Sequence, residues 1–376
     1  MSFWRLLCAE WQAVRADSAV MLVLFGGILF YAVLYPLPYK HNVAGEQPVV
    51  VIDQDRTALS RTLIRRVNAT PQVRVSDQVF SVAEARERLV AGAAHGMLVI
   101  PEHFQRDVLR GSPTTLSYAG DASYFLIYGT VAEGLLTAGT TLVLETQALR
   151  SLMVRDSQAP LAAQLQPVRV LAKPVFNAVG GYLNYVLPAV FVLILHQTML
   201  ITLGGITVKD RARRAAGVVS TPLLPALLAR LLLFVGLYML FASLYFGFFL
   251  ALNGVQAVAP LAQLLLFTLM FLVTTALLSL MLGYCWTAPE QPILLVLISS
   301  LPLVFTIGFA WPVTSLPGWL DALVNLVPAR PGIQGLLVLN QMGAPWSVLA
   351  PQAGWLLGQG LLFGGLLLWR VRMTRG

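Results

Sequence analysis

The stretch YVLPAVFVLILHQTMLITLGGI, residues 185–206, runs directly into the basic segment TVKDRARR, residues 207–214. A helix needs about 20 predominantly apolar residues to cross the hydrocarbon core of a bilayer, and residues 185–206 supply them without a charge. Basic residues directly after such a helix are typical of a loop that stays on the cytoplasmic side. The junction therefore predicts a membrane-spanning helix that ends in the cytoplasm, and it orients the rest of the chain.

Composition also indicates a membrane protein. The 376 residues are 57% hydrophobic and only 11% charged, whereas soluble domains carry about 25% charged residues. Cys8 and Cys285 are the only cysteines in the sequence, so it offers neither a disulfide framework nor a cysteine metal motif.

Five further apolar segments predict five more spans, which gives six in all. The first of the five could be a cleaved signal peptide, but it exceeds the 7–15 apolar residues of such peptides and no small-x-small cleavage site follows it. We therefore predict an uncleaved span, preceded by an amphipathic helix over residues 1–15 that lies in the membrane interface. The five segments are residues 19–37, 223–252, 261–284, 293–310 and 355–371.

The distribution of charge predicts the topology. Between residues 38 and 180 there are 14 basic and 12 acidic residues, close to balance. Of the 11 basic residues elsewhere, ten lie in the N-terminal tail, the 208–230 region and the C-terminal tail. By the positive-inside rule, both termini and the 208–222 loop are cytoplasmic and residues 38–180 lie outside. A net charge of +8 distributed in this way does not indicate a nucleic-acid partner.

Residues 38–180 have the pattern of a small α/β domain. Four short apolar runs alternate with segments of helical spacing, which is typical of strands and helices packed in layers. Ser81 with Glu84 matches a capping box, and Asp53 and Asp55 are interpreted as strand-end and capping residues rather than as a catalytic group with Asp121. The predicted strands are 49–52, 73–75, 97–100 and 114–118, the helices are 56–67, 81–91, 101–110 and 124–153, and a return segment covers 166–173.

The sequence thus predicts an α-helical integral membrane protein with six transmembrane helices and an inserted periplasmic α/β domain. We place its divisions at 1–37 for the interfacial helix and first span, 38–180 for the periplasmic domain and 181–376 for five further spans. Within the last division, residues 311–350 form a periplasmic segment.

Signatures of catalysis are absent from the sequence. It contains no G-x-x-x-x-G-K-[ST] phosphate-binding loop, no G-x-S-x-G motif and no cluster of its four histidines. We therefore expect no enzyme activity, no metal site and no cofactor bound by this chain.

Four stretches resemble the type-2 ABC-transporter permeases, specifically the exporters with a large periplasmic domain after the first span. The resemblance implies a bacterial inner-membrane permease that works as a homodimer or heterodimer on two cytoplasmic ATPase subunits, which bind ATP and Mg²⁺. It also implies export of an amphipathic or lipid-like compound, such as a drug-like molecule. Because the 38–180 domain has no catalytic constellation, we expect it to contact a periplasmic adaptor or the second permease. The stretches are PVVVIDQDRTALSRTLIRRV (48–67), GMLVIPEHFQRDVLRG (96–111), PVFNAVGGYLNYVLPAV (174–190) and GFAWPVTSLPGWLDALVNLVPARPGIQGLLVLNQMGA (308–344).

The same resemblance assigns coupling to the cytoplasmic loop 207–222. The family usually has an acidic, glycine-containing helix there that ends at Thr-Pro, whereas this chain is basic. The alternative is that the basic residues only fix the topology. The candidate coupling residues are Lys209, Asp210, Arg211, Arg213, Arg214, Gly217, Thr221 and Pro222.

Other polar or irregular positions in the membrane segments have two interpretations each. His196, Gln197 and Asn184 could line a substrate path, but ordinary hydrogen bonds between helices are the favoured explanation for the first two. Trp311, Pro312 and Trp319 form either an outer gate or part of an interfacial aromatic belt. Arg230 is expected to extend its charge to the membrane surface. Gly354, Gly358, Gly360 and Gly364 have small-xxx-small spacing and pack either within the chain or between two copies.

Two other functions are compatible with a polytopic membrane protein. A membrane scaffold or receptor could present residues 38–180 to a partner without transporting anything. A secondary transporter would need buried ionisable groups to couple ions, and the apolar spans offer almost none.

Overall fold

The computed structural model describes residues 3–39, 45–122, 125–153, 182–219 and 221–373, with side chains described only over 127–146 in the helix at 125–153. The chain forms two compact units. One consists of residues 1–40 and 174–376, and the other of residues 41–173. The predicted return segment 166–173 lies outside the described residues.

The first unit is a bundle of helices. Helix α1 spans Phe3–Arg15, and five long apolar helices follow: α2 (Ser18–Tyr39), α7 (Tyr182–Ala215), α8 (Leu223–Leu252), α9 (Leu261–Cys285) and α13 (Trp346–Met373). Each of these five is long and apolar enough to span a membrane. Shorter helices complete the unit: α10 (Gln291–Thr306), α11 (Gly318–Val324) and α12 (Ala329–Met342).

The predicted span at 293–310 is shorter in the structure. Helix α10 has 16 residues and ends at Thr306, shortly before Gly308 with φ 108°. Helices α11 and α12 follow as a pair bent by 87°. Helix α12 lies within the segment 311–350 and is largely buried inside the helical unit.

Helix α7 is the centre of the bundle. It packs against α2, α8, α9, α10 and α12, and most of its residues from Leu183 to Val208 are buried. Glycines bring helices together: Gly283 of α9 lies against Thr207 of α7, and Gly335 of α12 lies against the ring of Phe267. Small residues at such contacts permit the close packing on which association of helices in a membrane depends.

The glycines of α13 divide into two groups. Gly360 lies near Thr274 and Leu277 of α9, and Gly364 also lies near Leu277. Gly354 and Gly358 have no neighbouring atom in the space that a side chain would occupy. Of the two small-xxx-small pairs, only Gly360 and Gly364 therefore pack against another helix of the same chain.

The second unit is built on a four-stranded sheet with the order β2–β1–β3–β4. Strands β1 (Gln47–Asp53), β2 (Val73–Val79) and β3 (Gly96–Ile100) are parallel, and β4 (Ser117–Gly120) is antiparallel to β3. The four predicted strands are thus confirmed, although β2 is longer and β4 begins later than expected. The helices are α3 (Ala58–Asn68), α4 (Val82–Val90), α5 (Phe104–Arg110) and α6 (Phe125–Met153).

The two faces of this sheet carry separate cores. Val49 and Val51 of β1 face the core made with α3, α5 and α6, while Val50 and Ile52 face α4. Helix α6 contains a sixth segment, Ile127–Thr146, that is apolar enough to cross a membrane, but its buried stripe packs on the sheet. That stripe, with helical spacing, is Val131, Leu135, Ala138 and Leu142.

Asp53 and Asp55 hold the turn after β1. Asp53 is the last residue of that strand, as predicted, but the residue that caps α3 is Thr57 rather than either aspartate. Asp53 accepts hydrogen bonds from the backbone nitrogens of Asp55 and Arg56 and from Ser60 Oγ at 2.7 Å. Asp55 accepts from Thr57 Oγ1 and from the backbone nitrogen of Gln105. The carboxylates of Asp53 and Asp55 are therefore occupied by hydrogen bonds within the sheet unit. The Ser81 hydroxyl caps α4 as expected, but Glu84 accepts from the nitrogen of Phe80 rather than of Ser81.

Candidate functional site

The basic segment at residues 207–214, which follows the span at residues 185–206, is helical. Helix α7 continues through the predicted loop 207–222 as far as Ala215, because arginine and alanine are good helix formers. It stops at Gly217, whose φ is 73°, and the nitrogens of Val218 and Gly217 bond to the carbonyls of Arg213 and Arg214. This is the Schellman arrangement that ends helices at a left-handed glycine. The connection to α8 is therefore only residues 216–222, of which Ser220 lies outside the described residues. We call this connection the α7–α8 turn.

Arg214 fixes the α7–α8 turn to the end of α7. Its guanidinium donates to the Thr221 carbonyl at 2.6 Å, to the Thr221 hydroxyl at 3.0 Å and to Asp210 at 2.8 Å. Pro222 follows as the residue that caps α8. Three predicted coupling residues thus form one small connected structure.

Two neighbouring basic residues connect α7 to other helices. Arg211 donates to the carbonyls of Tyr284 and Trp286 at the end of α9, whose carbonyls have no partner within that helix. Lys209 pairs with Asp17, whose side chain also caps the start of α2. The end of α7 is therefore attached to α2 and to α9.

Arg230 lies in the protein interior and does not reach towards the surface as expected. Its side chain is 2% exposed. It donates two hydrogen bonds to Glu10 of α1, at 2.7 and 3.0 Å, and lies 3.2 Å from Asp210. A buried arginine is stable only when paired and hydrogen-bonded, so the sequence-based interpretation of Arg230 was wrong.

Glu10 is the residue that the sequence interpretation missed. It lies in the predicted interfacial helix of residues 1–15, and it is buried together with Leu6 and Val14. The four-residue spacing of these three positions defines the stripe of α1 that faces the protein. Trp4 is 73% exposed and belongs to the opposite side. Among the described residues outside the sheet unit, the buried charged residues are Glu10, Arg230 and Arg330.

A cavity of about 540 Å³ lies between α1, the end of α7, the turn and the start of α8. Its wall contains both signs of charge, and Arg213 is exposed there without an ion-pair partner in the described part of the chain. The cavity can therefore accept a polar or acidic group from a docking partner. Its charged lining residues are Glu10, Asp17, Lys209, Asp210, Arg213, Arg214 and Arg230.

The predicted pathway residues lie apart. Gln197 donates to Ser300 Oγ of α10 at 3.0 Å, which is the interhelical bond that we favoured. His196 is 1% exposed, neither of its ring nitrogens has a partner, and its ring stacks near Phe271. Asn184 is half-buried and lies twelve residues earlier on α7, about 18 Å along the axis. The structure therefore does not assemble these three side chains into one site.

The candidate outer-gate residues are exposed. Trp311 and Trp319 are 56% and 71% exposed, which fits the aromatic-belt alternative. Other residues hold the α10–α12 region together: Gln334 donates to the Ile307 carbonyl, and Arg330 pairs with Asp321. Because Arg330 is 5% exposed, it is a second buried arginine that the sequence did not single out.

Taken together, the apolar helices and their packing define a multi-pass membrane protein. A sequence model of a family described as "ABC-2 family transporter protein" matches residues 18–369. The chain belongs to this family, and the resemblance to type-2 ABC permeases is thereby confirmed. Membership makes it a membrane transport component of a class that is normally non-catalytic and works with an ABC ATPase subunit. No curated protein matches the chain.

Proposed function

We propose that this chain is the membrane-spanning permease subunit of an ATP-driven exporter, and that the α7–α8 turn is where it receives the motion of the ATPase. ATP and Mg²⁺ are held by a separate cytoplasmic ATPase subunit, and two permease chains act together. The cargo is an amphipathic or lipid-like compound taken from the cytoplasm or inner membrane. Family membership and the connections of the turn support this proposal.

The observation that carries the proposal is the attachment of one short turn to the central helix of the bundle. Arg214 fixes the turn to α7, and Arg211 and Lys209 extend the connection to α9 and α2. Because α7 packs against five other helices and packed cores shift between discrete arrangements rather than deforming gradually, a push on the turn displaces much of the bundle.

Charge supports a cytoplasmic position for this end. The basic residues of the α7 end and those of the last turn of α13, Arg370 and Arg372, follow the positive-inside rule if both are cytoplasmic. Residues 41–173 then lie in the periplasm of a bacterial inner-membrane protein, where they are available to an adaptor or to the second permease.

A secondary transporter is less well supported. Proton coupling needs a buried group that gains and loses charge. The buried acid Glu10 is held by Arg230, and the buried arginines Arg230 and Arg330 stay protonated. A scaffold or receptor function remains the alternative that the following experiment separates from transport.

The experiment is co-purification of the chain with candidate ABC ATPases, followed by ATPase assays in lipid. We expect Arg213→Glu to lower ATPase binding or stimulation about tenfold, since Arg213 is the exposed, unpaired cation of the cavity wall and coupling between sites typically changes affinity about 5- to 150-fold. Arg372→Glu at the exposed end of α13 is the matched control. Equal effects of the two variants contradict docking at the turn, and no binding of any ATPase by the unaltered chain favours the scaffold.

A further inference from the structure

We propose that helix α1 moves as one body with the α7–α8 turn, and that Glu10 and Arg230 are the positioning residues that hold it there. The motion received at the turn then reaches the first membrane helix, α2, as well as α7 and α8. This inference rests on the proposed function and adds a mechanical role for the N-terminal segment.

The geometry is a three-membered buried ion network. Arg230 on α8 binds Glu10 on α1 through Nε and Nη2, and Nη2 also lies 3.2 Å from Asp210 on α7. Asp210 in turn accepts from Arg214, which binds Thr221 in the turn. An unbroken series of polar contacts therefore runs from the middle of α1 to the end of the turn.

Because these charged groups are buried, separating them is unfavourable, and this links the position of α1 to that of α8. Arg230 and Glu10 are 2% and 10% exposed at their side chains, and a charge left there without its partner is strongly disfavoured. If the turn and α8 shifted while α1 stayed in place, Glu10 and Arg230 would each lose the partner that compensates its burial. If α1 moves together with the turn and α8, both charges stay paired. We therefore infer that α1 moves with them.

Packing and a second ion pair reinforce the same link. The α1 stripe formed by Leu6, Glu10 and Val14 is buried, and α1 packs along α8. Lys209 of α7 pairs with Asp17 between α1 and α2, but its side chain is 44% exposed, and exposed pairs contribute little. The buried pair is therefore the main connection and the exposed pair a minor one.

A distance measurement on the chain alone tests the link without any ATPase. Cys8 on α1 is exposed, and Val218 in the turn is 66% exposed, so a Val218→Cys, Cys285→Ser variant carries one nitroxide label on each element. We expect a narrow distribution of label distances that broadens or shifts when Glu10→Gln is added. An unchanged distribution in the Glu10→Gln chain overturns the proposal.

A functional measurement separates positioning from folding. Replacement of a buried ion pair by apolar residues of similar volume is often neutral or stabilising, so a Glu10→Leu, Arg230→Met double variant keeps α1 packed but disconnects it from Asp210. We expect normal membrane insertion and ATPase binding, with transport per ATP hydrolysed lowered about 5- to 150-fold, the usual range of coupling between sites. Arg88→Met, which removes an exposed pair with Asp77 in the sheet unit, is the control that keeps transport unchanged.

The outcomes distinguish this inference from the function on which it rests. Normal transport per ATP in the double variant shows that the buried pair is structural only, while the proposed exporter function stands. If the unaltered chain stimulates no ATPase, the proposed function fails, and the label distances still decide whether α1 and the turn move together.

Discussion

Helix α12 lies so close to α9 that Gly335 has no room for a side chain. A Cβ atom there would lie 2.1, 2.6 and 2.9 Å from three carbons of the Phe267 ring. Phe267 is fully buried, so its ring cannot swing into solvent. Either α12 shifts away from α9, or the ring leaves its preferred rotamer.

The effect of Gly335→Ala on the free energy of unfolding is the sum of two opposed contributions. Overpacking of a well-packed core costs about 1–3 kcal/mol, whereas alanine is favoured over glycine in a helix by about 1 kcal/mol. Because the contacts are well below normal van der Waals distance, we expect the first term to dominate, with a net loss of stability of about 1–2 kcal/mol.

The assay is the thermal midpoint of unfolding in detergent, compared with two further variants. Gly358→Ala on α13 meets nothing within 4 Å, so it should leave the midpoint unchanged or raise it. Phe267→Leu added to Gly335→Ala removes the aromatic ring and should restore part of the loss. If Gly335→Ala and Gly358→Ala have the same midpoint, α12 does not pack against α9 as described.

Three further predictions concern single side chains. His196→Leu should raise the midpoint of unfolding by removing two buried nitrogens without partners, since such groups cost about 1–3 kcal/mol; a lower midpoint would mean that a bound water or ligand satisfies them. Tyr245→Phe should cost about 1 kcal/mol, because the hydroxyl donates to the Ile28 carbonyl at 2.7 Å, whereas removal of the exposed Tyr31 hydroxyl should leave the midpoint unchanged. Asp53→Ala should speed hydrogen exchange at the nitrogens of Asp55 and Arg56, which lose their acceptor, with exchange in α4 as the internal control; unchanged rates would contradict the turn geometry.

The sequence was informative wherever a pattern is local. Uncharged apolar runs of about 20 residues have few alternatives to a membrane helix, and the unbroken apolar run from Val49 to Ile52 fits a strand buried between two cores. The position of Asp53 directly after this strand was enough to predict its role in the turn.

The candidate site was less predictable because its main contacts join residues far apart in the chain. Glu10 and Arg230 are separated by 220 residues, and no local pattern pairs them. The signal that was available is the presence of one acid and one arginine in otherwise apolar helices, since each needs a partner if buried. The extension of α7 to Ala215 was easier to predict from the sequence, because a glycine such as Gly217 commonly ends a helix.

The distribution of buried charge constrains how cargo can be recognised. In the described part of the bundle, the buried charged side chains are Glu10, Arg230 and Arg330. Arg230 is paired with Glu10 and Asp210. Arg330, the second residue of helix α12, is paired with Asp321. In the buried part of the described bundle, a charged cargo group would find no free countercharge among these residues, and its desolvation would be uncompensated. Under the proposed exporter function, we expect selection of cargo to depend on its size and apolar surface. Cargo analogues that differ only in chain length should then differ more in transport than analogues that differ only in the sign of a solvent-exposed head group.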